Sequence, residues 1–191
     1  METDTPVIRP LTQERQKDFL EFMQGAAFAD NPKWQSCFCQ FLYVDHRVVN
    51  WQQRTAEENR AAACERICSR TMQGLLAYRE ETVVGWCNAA PRTMMDAFLD
   101  EPIADAGTIG QITCFVVAKG HRNSGVATAL LEAACEALRA QGMTIAEAMP
   151  KPELAGDAEN HYGPMRMFLG AGFKVHRQGE HGSVYVRKQL A

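Results

Sequence analysis

The chain has 191 residues, 46% hydrophobic and 23% charged, with a formal net charge of −3. That length and apolar share suit one domain with a full core, and the slightly acidic balance offers no basic field for a phosphate backbone, which argues against nucleic acid as the main partner. Seven cysteines is an odd number for a disulfide scaffold, and the opening METDTPVIRPLTQERQ carries no apolar run. No stretch approaches the roughly 18 apolar residues that span a bilayer, so the expectation is a reducing, cytoplasmic compartment and no membrane partner.

Taken in order, Val7-Ile8-Arg9-Pro10 reads as a short strand. Thr12 is placed to cap a helix whose apolar face is Phe19, Phe22 and Met23 and which stops at Gly25. Residues 29–53 are irregular and aromatic-rich. Thr55 and Glu58 form a capping-box pattern, predicting a second helix from there to Gly74. GLLAYRE and TVVGWCNAAP read as a hairpin turning at Glu80 and Glu81. A strand over 109–117 precedes a helix whose stripe is Val126, Leu130, Ala133, Ala134, Ala137 and Leu138, closed by Gly142. TIAEAM is a further strand, followed by a polar loop from Pro150 to Tyr162. Pro164 opens a short helix, and FKVHR and SVYVRKQ form a closing hairpin across QGEHG. With no repeat and no linker, the order predicts a single α/β domain over residues 1–191, of mixed α+β-sheet type, with helices on both faces.

The stretch VVAKGHRNSGVATALLEAA ends an apolar strand, passes through a small-residue loop and enters a helix. The first turn of a helix presents N–H groups with no intrahelical partner and a positive dipole end, a natural seat for anions. Gly125 and Ala127 keep side chains out of the way, Ser124 adds a hydroxyl, and Arg122 brings a permanent charge with a fork of donors. The stretch reads as a cradle for a diphosphate, the alternative being an ordinary strand–turn–helix. It matches neither G-x-x-x-x-G-K-[ST] nor G-x-G-x-x-G.

R-x-x-G-x-A directly after an apolar strand resembles the coenzyme A loop of the GNAT acetyltransferases. GLLAY, VVGWCNAAPR, CFVV and MFLGAGF resemble a bacterial subgroup of that superfamily, as does the region 29–53 with Cys37 and Cys39. The resemblance covers Val7 to Leu190. It implies acetyl-CoA as co-substrate, lying in a wedge between strands 109–117 and 144–149. It further implies main-chain pairing of the pantetheine arm along Phe115, Val116 and Val117, and a diphosphate cradle of Arg122, Asn123, Ser124, Gly125, Val126 and Ala127. The implied reaction is direct attack of a neutral primary amine, of a small molecule or of a peptide or protein, on the thioester, which calls for deprotonation of an ammonium, an oxyanion donor and an acid for the thiolate.

Where relatives carry a tyrosine as general acid, five residues before the phenylalanine of the Gly-Phe pair, this sequence has Phe168. Tyr162 is the nearest phenol, with solvent as the alternative acid and a packed tyrosine as the plain reading. Glu147 is the carboxylate of the strand 144–149 and the candidate base; the alternative is that it faces outward or pairs with an arginine. Cys114 is either a covalent nucleophile or, with no flanking charge to activate it, inert packing, which is the reading preferred. Cys37, Cys39, Cys64 and Cys68 lack zinc spacing, so no metal is expected, and Cys64 with Cys68 reads as core. His46, His121, His176 and His181 read as surface residues. Trp34, Phe38, Phe41, Tyr43 and Trp51 either wall the acceptor pocket or form a satellite cluster. Arg92 either meets an acidic group of the acceptor or is solvated. The closing hairpin and the aromatic insert are candidate homodimer surfaces. Because Phe168 replaces the usual acid, a non-catalytic acetyl-CoA sensor stands beside the enzyme reading.

Overall fold

A computed structural model describes residues 5–98, 103–150, 160–179 and 182–190. Seven strands form one sheet: β1 (Val7–Pro10), β2 (Gly74–Arg79), β3 (Thr82–Pro91), β4 (Ile109–Val117), β5 (Ile145–Ala148), β6 (Lys174–Gln178) and β7 (Val184–Gln189). Their order is β1-β2-β3-β4-β5-β7-β6, and every neighbouring pair is antiparallel except β4 with β5. Among the described residues four α-helices cover the sheet: α1 (Gln16–Gln24), α2 (Ala56–Ser69), α3 (Val126–Ala140) and α4 (Met165–Gly170).

The local signals mostly act as their chemistry dictates. The Thr55 hydroxyl accepts from the Glu58 N–H at 3.2 Å, and the Glu58 carboxylate accepts from the Thr55 N–H at 2.8 Å, closing the capping box of α2. That helix ends earlier than Gly74, because Arg70 turns left-handed (φ 60°) and the N–H groups of Thr71 and Met72 fold back onto the Arg66 carbonyl. Thr12 does not cap α1. Its hydroxyl accepts from Arg15 at 3.3 Å, and a 3-10 turn over Gln13–Arg15 starts the helix instead. Residues 26–53 contain short 3-10 turns and no strand.

Strand alternation divides the core into two. Leu76, Trp86 and Ala90 face Phe19 and Met23 of α1 and Ile67 of α2. Ala77, Cys87, Ile112 and Ala146 face Leu130, Ala134 and Leu138 of α3 and Phe168 of α4. Gly85 lets α3 settle closely on the sheet: a Cβ there would stand 2.8 Å from Val126 Cγ1. Cys64 is half-buried and Cys68 is exposed, so the expected core pair is not one.

Two features of β4 create the site. It pairs with β5 only from Ile109↔Ile145 to Ile112↔Ala148, so the sheet opens along Thr113–Val117. On its other edge the register with β3 slips, with Asn88 opposite Thr113 but Cys87 opposite Phe115, leaving Cys114 as a bulge at φ 36°. Beyond the bulge, Cys114 and Val116 belong to the α1/α2 side, and Phe115 and Val117 to the α3 side. Among the described residues, no helix is long and apolar enough to cross a membrane.

Candidate active site

On the α3 side lies a groove of about 490 Å³. Of the residues expected at the cofactor, Phe115, Val117, Arg122, Asn123, Gly125, Val126 and Ala127 line it; Val116 and Ser124 do not. Gly125 holds φ 84° at the N-terminus of α3, a conformation that glycine adopts without steric cost, and an added Cβ would meet nothing within 4 Å. At Gly125 the turn into α3 therefore meets the groove with bare backbone.

The polar side chains divide differently from the expectation. Arg122 spends its fork on Asp30, at 2.6 and 2.9 Å, and its Nε on the Val117 carbonyl at 3.1 Å. This guanidinium holds the Asp30 carboxyl below the usual carboxylate range. The Ser124 hydroxyl donates to the His121 carbonyl at 2.6 Å and accepts from Arg79 at 3.1 Å, so it ties the loop to β2. Four polar lining residues stand outside the expected set: His121, Thr128, Asn160 and Arg166. His121, read from sequence as a surface residue, lies 3.4 Å from Arg79. Arg166 is exposed and makes no polar contact among the described residues, which leaves its five donors available. The sequence signal for it was an arginine in the first turn of the helix that Pro164 opens.

The main chain along the wedge is also engaged. Phe115 N–H points away from β3 and donates to the His161 carbonyl at 2.6 Å. The loop bearing His161 and Tyr162 thus bridges the open end of the wedge.

On the α1/α2 side lies a second pocket of about 280 Å³, reaching Cys114 and Val116 from the opposite face of β4. Val116 sits here because alternation places it across the strand from Phe115 and Val117. The insert supplies the walls in part: Trp34, Phe41 and Trp51 line this pocket, while Phe38 and Tyr43 are buried in the core. Cys37 and Cys39 both border the pocket, because Phe38 and Cys39 take positive φ (44° and 58°) and the segment is not extended. Burial pushes the Cys37 thiol up to about 11, with Cys39 beside it acting in the same direction. No group of three or more metal-ligating side chains exists among the described residues.

Tyr162 borders the same pocket, its ring 4.2 Å from that of His161. Burial raises its phenol above the ordinary value, so it keeps its proton at neutral pH. Phe168, by contrast, is fully buried and packs edge-on against Phe115 and Phe173.

Glu147 lies elsewhere. It has no exposure, and both oxygens are taken: Oε1 by Arg92 at 2.9 Å and Oε2 by Arg187 at 2.7 Å. Arg92 is 2% exposed, also donates to Gln111 at 3.1 Å, and stacks 4.1 Å from the Phe98 ring centroid. It is neither solvated nor placed to meet an acceptor. Of the readings open for Glu147, the arginine pairing is the one realised.

A seven-stranded mixed sheet opening at β4, with a helix N-terminus at the opening and pockets on both faces of one strand, defines the acyl-CoA N-acyltransferase class of fold. Residues 32–152, more than half of the chain, match the model of the Acetyltransferase (GNAT) family, and the chain belongs to that family. Solved structures agree in fold. An N-acetyltransferase from Staphylococcus aureus is 14% identical, with 97% of this chain and 99% of that one covered at a TM-score of 0.60. PaiA N-acetyltransferase from Thermoplasma acidophilum, in complex with coenzyme A, is 14% identical over 97% of this chain and 99% of that one, with a TM-score of 0.58. Ribosomal-protein-alanine N-acetyltransferase from Brucella melitensis is 18% identical over 96% and 99%, with a TM-score of 0.56. A search of curated protein sequences finds no significant match.

Proposed function

We propose that the protein is an acetyl-CoA-dependent N-acetyltransferase in which a primary amine attacks the thioester directly. The observation that carries this reading is the meeting of two pockets across one strand: Phe115 and Val117 front the groove at the α3 N-terminus, and Cys114 and Val116 front the aromatic pocket. A thioester lying along the groove side of β4 is then within reach of an amine held on the other side, near the open end of the wedge.

In this reading the diphosphate rests on the N–H groups of the first turn of α3, with Arg166 supplying a guanidinium to phosphate oxygens and Arg122 braced by Asp30 to hold the loop. The pantetheine arm takes the Phe115 N–H in place of the His161 carbonyl, so cofactor entry displaces the loop carrying Tyr162. Glu147 is not the base. An amine entering an apolar pocket loses hydration, which disfavours its charged form, and Lys33 at the wall disfavours it further. The ammonium then surrenders its proton to solvent without a carboxylate. Tyr162 is the donor for the departing sulfur. Because its phenol is raised while a free thiol lies near 8.5, full proton transfer is uphill, and it acts as a hydrogen-bond donor to the developing thiolate.

Isothermal titration with acetyl-CoA, with NAD and ATP as controls, followed by thiol release over an amine panel, tests the reading. Selective micromolar binding and amine-dependent release support it. Binding with release at the uncatalysed rate for every amine favours a sensor, a role consistent with the buried Phe168 at the usual acid position. No binding overturns both.

A further inference from the structure

The aromatic pocket carries information about what it holds. Its charged lining among the described residues is Lys33 alone; no aspartate or glutamate reaches it. Trp34, Phe41, Trp51 and Tyr162 make its walls, and about 280 Å³ falls just below the roughly 300–1,000 Å³ usual for ligand pockets. Among the described residues a polycation finds no carboxylate to pair its second and third charges, which would then be desolvated. A compact apolar body fits both the size and the walls.

One polar group in the floor is unanswered. Asn88 is fully buried, and its amide orientation is fixed from outside the pocket: the Tyr43 hydroxyl, itself contacted by the Gln73 backbone, donates to Asn88 Oδ1 at 2.8 Å. That leaves Asn88 Nδ2 as a buried donor with no hydrogen-bond partner, on a residue that borders the pocket. A buried N–H without a partner is costly, and an oxygen of a ligand answers it.

We propose that this pocket binds a small primary monoamine with an apolar or aromatic body and one oxygen acceptor close to the amine, in preference to polyamines. The proposal rests on the N-acetyltransferase reading for the purpose of the amine, but its binding chemistry stands on this pocket alone. The oxygen meets Asn88 Nδ2, the ring or branched chain packs among Trp34, Phe41 and Trp51, and the amine faces Cys114 and the wedge.

The test is a tryptophan-fluorescence titration of the full chain, without acetyl-CoA, with L-phenylalaninamide, 2-phenylethylamine and spermidine. Phenylalaninamide is expected to bind about tenfold or more tighter than spermidine, and about fivefold tighter than 2-phenylethylamine, the worth of one neutral hydrogen bond. Asn88→Asp keeps the Tyr43 contact but replaces the donor with an acceptor, and abolishes the preference for phenylalaninamide over 2-phenylethylamine. Phe41→Glu, at a position 41% exposed and therefore tolerant, weakens phenylalaninamide and strengthens spermidine. Spermidine binding as tightly as phenylalaninamide overturns the proposal, as does a fivefold preference that survives Asn88→Asp. If acetyl transfer fails for every amine while the binding order holds, the proposed reaction falls and the pocket assignment stands. If transfer occurs but the order is inverted, the pocket assignment falls alone.

Discussion

Glu147→Gln separates a buried ion cluster from a catalytic base. The carboxylate lies between Arg92, 2% exposed, and Arg187, 15% exposed, at 2.9 and 2.7 Å. The substitution keeps the volume and removes the negative charge, so two guanidiniums lose the carboxylate they share. Breaking a buried pair in this way costs about 3–5 kcal/mol. For a domain of this size each kcal/mol moves Tm by roughly 2–4 °C, which gives a fall of about 6–20 °C. The damage has a defined place: Glu147 pairs with Gln111 of β4 and Arg187 of β7, one residue before the last β4–β5 pair at Ile112↔Ala148. Loosening there widens the wedge, so acetyl-CoA binding weakens along with stability. The assays are a thermal melt, a titration with acetyl-CoA, and a pH–rate profile well below the new Tm. The profile should keep its wild-type shape. A Tm within 2 °C of wild type, together with a rate lowered about 100-fold or more and an acidic limb gone from the profile, refutes the reasoning and returns Glu147 to the role of base.

Gly125→Asp forces a side chain into the left-handed region at φ 84° and sets a carboxylate at the anion seat, so acetyl-CoA affinity should fall by about 100-fold or more in calorimetry while the fold persists; unchanged affinity removes the loop from the cofactor site. Arg166→Ala should weaken acetyl-CoA about 10- to 150-fold and flatten the salt dependence of binding, since a charge-assisted contact is worth roughly 1.5–3 kcal/mol when its donors are not already paired; an effect smaller than that of Arg122→Ala would give the phosphate contact to Arg122 instead. With the Cys37 thiol at about 11 instead of 9.0, its folded form holds the proton more tightly. Its contribution to stability is therefore whole below pH 9 and lost as pH rises through about 11. Iodoacetamide at pH 8 should label it on the order of 100-fold more slowly than a free thiol, read by peptide mass spectrometry against the exposed Cys68; equal labelling of the two would contradict the burial argument.

What the sequence showed of this site followed from local chemistry. The boundaries of β4 are written in its β-branched and apolar run, α3 starts at the glycine that must turn left-handed, and the Thr55–Glu58 box is a purely local device. Long-range partners were not written there. Nothing near Arg122 in sequence announces Asp30, which is 92 positions away, and nothing near Glu147 announces Arg92 and Arg187, 55 and 40 positions away. Phosphate chemistry pointed to the loop before α3 but gave Arg122 and Ser124 roles that differ from the tertiary contacts they make. The wedge itself was expected from the resemblance, since a strand that outlasts its neighbour is invisible to a one-dimensional pattern.

The bulge at Cys114 illustrates the same limit and has the largest chemical consequence. CFVV looks like an unbroken strand, and regular alternation from Ile112 would send Cys114 to the face of Ile112. The extra residue reverses that assignment, placing Cys114 and Val116 in the aromatic pocket and Phe115 and Val117 in the groove. Each pocket then has its own electrostatic character. The groove gathers helix N–H groups and arginines suited to phosphate, whereas the opposite pocket is apolar, with Lys33 as its charged wall. In the proposed reaction an anionic cofactor and an amine that must become neutral have opposite needs, and the two side-chain directions of one strand would offer each its own face. A carboxylate in the second pocket would hold the amine as an inert ammonium. That none stands there among the described residues, and that Glu147 is buried between two arginines, agree with the proposed reaction, in which desolvation rather than a resident base prepares the nucleophile.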